Sequence, residues 1–211
     1  MNVIKPAKLY IFDMDGTILD SMGEWTHLGR NYLLSRGITP PDNLEEIIDP
    51  MTMEESAAYF QTLGISGDIS TINREIMELI HDAYRFHIPL KPGIREVIQE
   101  LFNKKDSILC VLTTSEQDCA ENAFQRLGIL SYFRDIHSGF TLGLGKRTNE
   151  IYRYVCDFYH VSPADTVVFE DAPYAIRSAK DAGCYVYAIP EKVYREEWEV
   201  CVKTADEVLQ L

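Results

Sequence analysis

Four short, predominantly apolar runs show no polar–apolar alternation, which limits the folds open to this chain. They are Leu9 to Phe12, Ile108 to Leu112, Thr166 to Phe169 and Tyr185 to Ile189. A strand that is apolar on both faces must be covered on both, which points to a parallel sheet sandwiched by helices. The intervening segments carry the helix period. Ile94, Val97, Ile98, Leu101 and Phe102 form one stripe, and Ala120, Ala123, Phe124 and Leu127 a second. Ile151, Val155 and Phe158 make a third, and Ala172, Ala175, Ile176 and Ala179 a fourth. Pro173 suits a first helical turn, and Gly128 and Gly183 fall where left-handed caps end helices. A weaker strand is expected around Asp135 to His137. The class is therefore α/β, with a parallel sheet covered by helices on both faces.

Residues 20–90 interrupt this alternation with helix signals and no convincing strand. Trp25, Leu28 and Tyr32 form a stripe ended by Gly37. Thr52 with Glu55 is a capping box opening a helix that carries Ala57 and Phe60 and stops near Gly64. A longer stripe follows through Ile72, Ile76, Leu79, Ile80 and Ala83, and Pro89-Leu90-Lys91-Pro92-Gly93 reads as a hinge. The expected organisation is a core of residues 1–19 and 91–211, with residues 20–90 inserted as a small helical domain.

Composition narrows the function. The 211 residues carry a net charge of −13, which repels nucleic acid and anionic membrane, so neither is expected as a partner. No apolar run approaches membrane-spanning length, and Pro6 and Lys8 break up any signal-like start, so a cytoplasmic protein is expected. The five cysteines, Cys110, Cys119, Cys156, Cys184 and Cys201, lack a CxxC pair and read as buried reduced thiols. So acidic a chain can bind an anion only where a metal, a lysine or helix N-termini supply local positive charge.

Ligands of open α/β sheets gather at the carboxyl ends of the strands. The first strand exits into Asp13-Met14-Asp15-Gly16-Thr17, two carboxylates one residue apart before a turn glycine. The second exits into Thr113-Thr114-Ser115, which as hydroxyls before a helix can cradle phosphate or simply cap the helix. Lys146 sits in Gly143-Leu144-Gly145-Lys146 ahead of a helix, without the spacing of a Walker A loop. The run Val167-Val168-Phe169 ends in Glu170-Asp171, adjacent acids with the hard oxygens that suit Mg²⁺; Asp171 is also placed to cap the next helix. Each pattern alone is also an ordinary turn, cap or surface feature.

Their order is more specific. An Asp-x-Asp-Gly-Thr strand exit, a Thr exit, a lysine before a helix and an acidic pair resemble the haloacid dehalogenase superfamily, in its phosphatase and beta-phosphoglucomutase-like branch. The resemblance spans Leu9 to Ile189 and implies a Rossmann-like core with a helical cap at residues 20–90. It implies Asp13 as the nucleophile that takes the phosphoryl group, and Asp15 as the acid and then the base. Thr113, Thr114 and Lys146 would hold that group. Mg²⁺ would be held by Asp13, Asp15 (through its carbonyl), Glu170 and Asp171. One departure is the lysine loop: relatives often read GKPxPD, and this chain has Gly145-Lys146-Arg147-Thr148-Asn149-Glu150.

The expected activity is Mg²⁺-dependent hydrolysis of a small phosphorylated metabolite, a sugar phosphate or similar monophosphate. Asp15 argues against a dehalogenase, which attacks carbon without a second aspartate. A phosphomutase shares the core motifs but must hold a bisphosphate, and no Lys or Arg lies between Gly37 and Asn73. The same gap suggests a substrate whose far end is uncharged. A catalytically silent binding module would have lost one of the motif residues, and none is lost. Within the insertion, Trp25, His27, Arg30, Met51 and Thr52 are the candidates for substrate selection.

Overall fold

The computed structural model describes residues 3–211. It divides into two compact units, one reaching Asp20 and resuming over Pro89–Leu211, the other Ser21–Ile88.

The first unit is built on a six-stranded sheet. Its strands are β1 (Leu9–Phe12), β2 (Ile108–Thr113), β3 (Ile136–Ser138), β4 (Thr166–Glu170), β5 (Tyr185–Ala188) and β6 (Glu207–Val208). All pair in parallel, in the order β3-β2-β1-β4-β5-β6. β1 lies between β2 and β4, with Leu9 opposite both Ile108 and Thr166, and all four of its residues are completely buried. That position explains why its sequence has no polar face. Leu9 and Ile11 join Cys110, Leu112, Val168 and Val186 in the core on one side. On the other side Phe12 stacks on Phe169 at 4.4 Å and Phe169 on Tyr187 at 5.4 Å, one ring from each of three neighbouring strands.

The stripes become the helices Ile94–Phe102, Gln117–Leu127, Glu150–Phe158 and Pro173–Ala182, with Gly128 and Gly183 as left-handed caps. In Glu150–Phe158 the buried face is Ile151, Tyr152, Val155 and Cys156. Phe158, expected on that face, is 51% exposed, because the buried face runs through Tyr152 and Cys156 instead. Helix Trp198–Thr204 and β6 lie beyond Pro190, where the sequence offered no signal. All five cysteines are buried and none forms a disulfide. Among the described residues, no helix is long and apolar enough to cross a membrane.

The second unit consists of helices Met22–Thr26, Leu28–Ser35, Leu44–Ile48, Met53–Thr62 and Ile69–Phe86. Its core includes Tyr32, Leu33, Phe60, Ile72, Ile76, Ile80 and Tyr84. The single stripe expected through Trp25, Leu28 and Tyr32 is two helices, broken at His27. The capping box forms as expected: Thr52 accepts from the Glu55 amide and Glu55 accepts from the Thr52 amide.

The five selection candidates have partners or packing inside this unit. Trp25 Nε1 donates to Tyr84 Oη at 2.9 Å, Met51 is half-buried, and Thr52 is the cap. Arg30 grips Glu45 with two bonds, Nε to Oε1 at 2.6 Å and a terminal nitrogen to Oε2 at 2.7 Å, and His27 Nδ1 lies 3.1 Å from Oε1. The Arg30 hydrogen bonds, helped by His27, push the Glu45 carboxyl down to about 2. A carboxyl lowered on folding stabilises fully above its unfolded value of about 4.3, and that contribution is lost as pH falls through 2. Melting curves of the wild type and Glu45→Gln are therefore expected to differ at pH 6 and to converge toward pH 2. Curves that stay parallel across that range would contradict the assignment. The gap should be modest, since the Glu45 side chain remains 26% exposed.

Candidate active site

The sheet changes winding direction at β1 and β4: the chain runs outward from β1 through β2 and β3, then returns to the far side of β1 as β4. Crevices open at such points beyond the carboxyl ends of the strands. Asp13 follows β1 directly, its amide donating to the Phe169 carbonyl at 3.0 Å. Glu170 closes β4, and Asp171 comes next. The reversal of the chain puts these three acids side by side. The chain then turns sharply: Gly16 has φ 87°, a conformation that disfavours side chains, and the Ile18 and Leu19 amides both return to the Met14 carbonyl.

Lys146 comes from the loop before Glu150–Phe158 and is 4% exposed, which excludes the surface role its sequence context also allowed. Its Nζ donates to Asp13 Oδ1 at 2.5 Å and to Glu170 Oε1 at 2.6 Å. Glu170 accepts three further bonds: from Tyr152 Oη at 3.2 Å, and at Oε2 from the amides of Asp171 (3.0 Å) and Ala172 (3.2 Å). Glu170 is thus saturated and serves to hold Lys146. By contrast Asp13 Oδ2 and Asp171 Oδ2 are buried without a hydrogen-bond partner. Asp171 does not cap the following helix as its position allowed; Ala172 occupies that place, with no side-chain bond.

Thr113 and Thr114 leave β2 toward the same edge. Thr113 Oγ1 accepts from the Ser115 amide at 3.0 Å, which leaves its hydroxyl hydrogen to donate elsewhere. Thr114 is exposed and lines a cavity together with Lys146. None of the three hydroxyl residues caps Gln117–Leu127, whose cap is Glu116. Ser115 Oγ instead donates to Asp15 Oδ2 at 2.7 Å and so orients that carboxylate.

Electrostatics set what the cluster needs. Burial raises the Asp13 carboxyl to about 7, with Glu170 and Asp15 adding repulsion against the pull of Lys146. Burial raises Asp171 as well, helped by Asp13 and Glu170. One lysine does not offset this many buried acids. An oxygen of each of Asp13, Glu170 and Asp171 lies within 4.8 Å of the others. Two orphaned carboxylate oxygens in an over-acidic pocket fit a hard divalent cation such as Mg²⁺.

Tyr152 is the residue of this cluster that sequence reasoning missed, and Ser115, read there as a cradle or cap, binds Asp15 instead. Tyr152→Phe keeps the ring in the core and removes one donor from Glu170. Loosening such an outer partner is expected to slow turnover by about tenfold with little change in KM, and to cost about 1.5–3 kcal/mol of stability. Unchanged turnover would show that the four-donor cradle of Glu170 is redundant.

The chain belongs to the haloacid dehalogenase-like hydrolases, whose family model matches residues 10–189. It is 26% identical over 174 residues to a phosphorylated carbohydrates phosphatase from Thermotoga maritima, covering 82% of this chain and 80% of that one. It is 29% identical over 192 residues to beta-phosphoglucomutase from Bacillus subtilis, covering 86% and 83%. In fold it is similar to the crystal structure of CbbY from Rhodobacter sphaeroides in complex with phosphate, with a TM-score of 0.74 at 24% identity over 96% of this chain and 93% of that one.

Proposed function

We propose that this protein is a Mg²⁺-dependent phosphatase that transfers a phosphoryl group from a small phosphorylated metabolite to Asp13 and then to water. The observation that carries the reading is the buried Lys146 ammonium bridging Asp13 and Glu170, beside two carboxylate oxygens left without partners. In the first half-reaction an Asp13 oxygen attacks phosphorus as the ester P–O bond breaks, and Asp15 gives its proton to the departing alkoxide. In the second, Asp15 takes a proton from water as that water attacks phosphorus, and Asp13 leaves as the carboxylate. Ser115 keeps Asp15 aimed for both steps. Lys146, the Thr113 hydroxyl and the Thr114 backbone hold the phosphoryl oxygens. Mg²⁺ held by Asp13, Asp171 and the Asp15 carbonyl would supply the positive charge that phosphoryl transfer needs. Glu170 then acts through Lys146, or reaches the ion through water.

We read the helical unit as a cap that selects among phosphate esters, with Trp25, His27, Arg30, Met51 and Thr52 as its candidates. The phosphatase relative supports a phosphorylated sugar as substrate, and a cytoplasmic location fits such a substrate. The mutase relative keeps a second reading in play, an isomerase of a sugar 1-phosphate. A panel of sugar phosphates, assayed for free phosphate with Mg²⁺ and with a chelator, separates them. Metal-dependent phosphate release supports the hydrolase. Conversion of beta-glucose 1-phosphate to its 6-isomer, without release, supports the mutase.

A further inference from the structure

Arg147 has no part in the chemistry above, yet it borders the site. It is exposed, and among the described residues it has no ion-pair partner. Its guanidinium lies 4.5 Å from the centroid of the half-buried Tyr174 ring, a contact that favours one placement of this long side chain. Both residues line a cavity of about 400 Å³ that is also lined by Thr114 and Lys146. A methyl group added at Gly145, in the same wall, would meet nothing within 4 Å, so the loop borders open space. Lys146 is committed to Asp13 and Glu170. Arg147 is therefore the free cation of this cavity.

We propose that Arg147 forms a subsite for a second anionic group, a phosphate or carboxylate, on the substrate whose phosphoryl group Asp13 receives. The inference rests on the phosphatase reading and deepens it. A guanidinium presents paired donors that match carboxylate and phosphate oxygens, and the Tyr174 ring pre-organises it. The lack of Lys and Arg between Gly37 and Asn73 pointed to an uncharged far end. Arg147 is on the other unit, in the loop that also delivers Lys146. Glu150 lines the same cavity and disfavours an anion placed away from Arg147.

The test uses matched esters that differ only in the second anion. Fructose 1,6-bisphosphate is compared with fructose 1-phosphate, and 3-phosphoglycerate with glycerol 3-phosphate; the pairs separate phosphate from carboxylate. The wild type is expected to favour at least one anionic member by about tenfold or more in kcat/KM. Arg147→Gln should erase that preference mainly through KM, and Arg147→Lys should keep part of it. The proposal is overturned if the wild type shows no preference in either pair, or if Arg147→Gln lowers both members of a pair equally. If these four and the wider sugar-phosphate panel all release no phosphate, the phosphatase reading fails. Calorimetric binding of the same esters to wild type and Arg147→Gln then decides the subsite alone: an anion-dependent loss of affinity in the variant upholds it, and equal affinities overturn it.

Discussion

Asp13→Asn is expected to reduce phosphate release by about 10⁴-fold or more, the scale seen when a covalent nucleophile is removed. The same change should make the metal-free protein more stable at neutral pH and above. Burial, with repulsion from Glu170 and Asp15, lifts the Asp13 carboxyl to about 7. A carboxyl raised on folding stabilises fully below its unfolded value, near 4, and that contribution is lost as pH rises through 7. Ionised Asp13 thus weakens the empty site, and Asn removes that cost. Melting temperatures of the two proteins, measured without metal, should diverge in favour of Asp13→Asn as pH climbs from 4 to 8. An Asn variant that retained turnover would count against the nucleophile role, and one that became less stable than the wild type with rising pH would count against the raised carboxyl.

The second large effect is expected from Lys146→Met. Methionine fills similar space without charge, so Asp13 and Glu170 lose the cation that lies 2.5 and 2.6 Å from them. Breaking a buried pair from one side costs about 3–5 kcal/mol, because the remaining charges stay desolvated. Urea unfolding without metal should register that loss, and Mg²⁺ should recover part of it by replacing positive charge. Turnover should fall by about 10³-fold and stay low with Mg²⁺ present, since a fixed donor to the phosphoryl group is gone. A variant of normal stability would mean that the two carboxylates do not depend on Lys146.

These effects trace back to how the chain encodes its site. β1, β2, β4 and β5 were legible because their strands need apolar side chains on both faces. β6 was not, because its two residues, Glu207 and Val208, are too few to set a pattern. The short helix Leu44–Ile48 buries only Leu44 and so carries no stripe to read. The site followed the same logic. Asp13, Asp15, Thr113, Lys146, Glu170 and Asp171 could be picked out because they sit just beyond strands or in a loop before a helix, in a recognisable order. Their mutual geometry could not. That Glu170 is filled by four donors while Asp171 keeps a free oxygen depends on packing between β4 and helix Glu150–Phe158. Tyr152 lay hidden for a related reason, since on its helix it reads as one more core residue. Ser115 was visible as a hydroxyl, but its bond to Asp15 spans a hundred residues of sequence.

In the proposed mechanism Asp13 itself carries the phosphoryl group. An acyl phosphate is reduced by borohydride to an alcohol, which turns an aspartate into homoserine. The enzyme would be mixed with a hydrolysed ester and Mg²⁺, quenched into borohydride during turnover, digested and sequenced by mass spectrometry. Homoserine is expected at position 13, dependent on both the ester and Mg²⁺. Steady phosphate release with Asp13 recovered intact, or with homoserine at another aspartate, would contradict it.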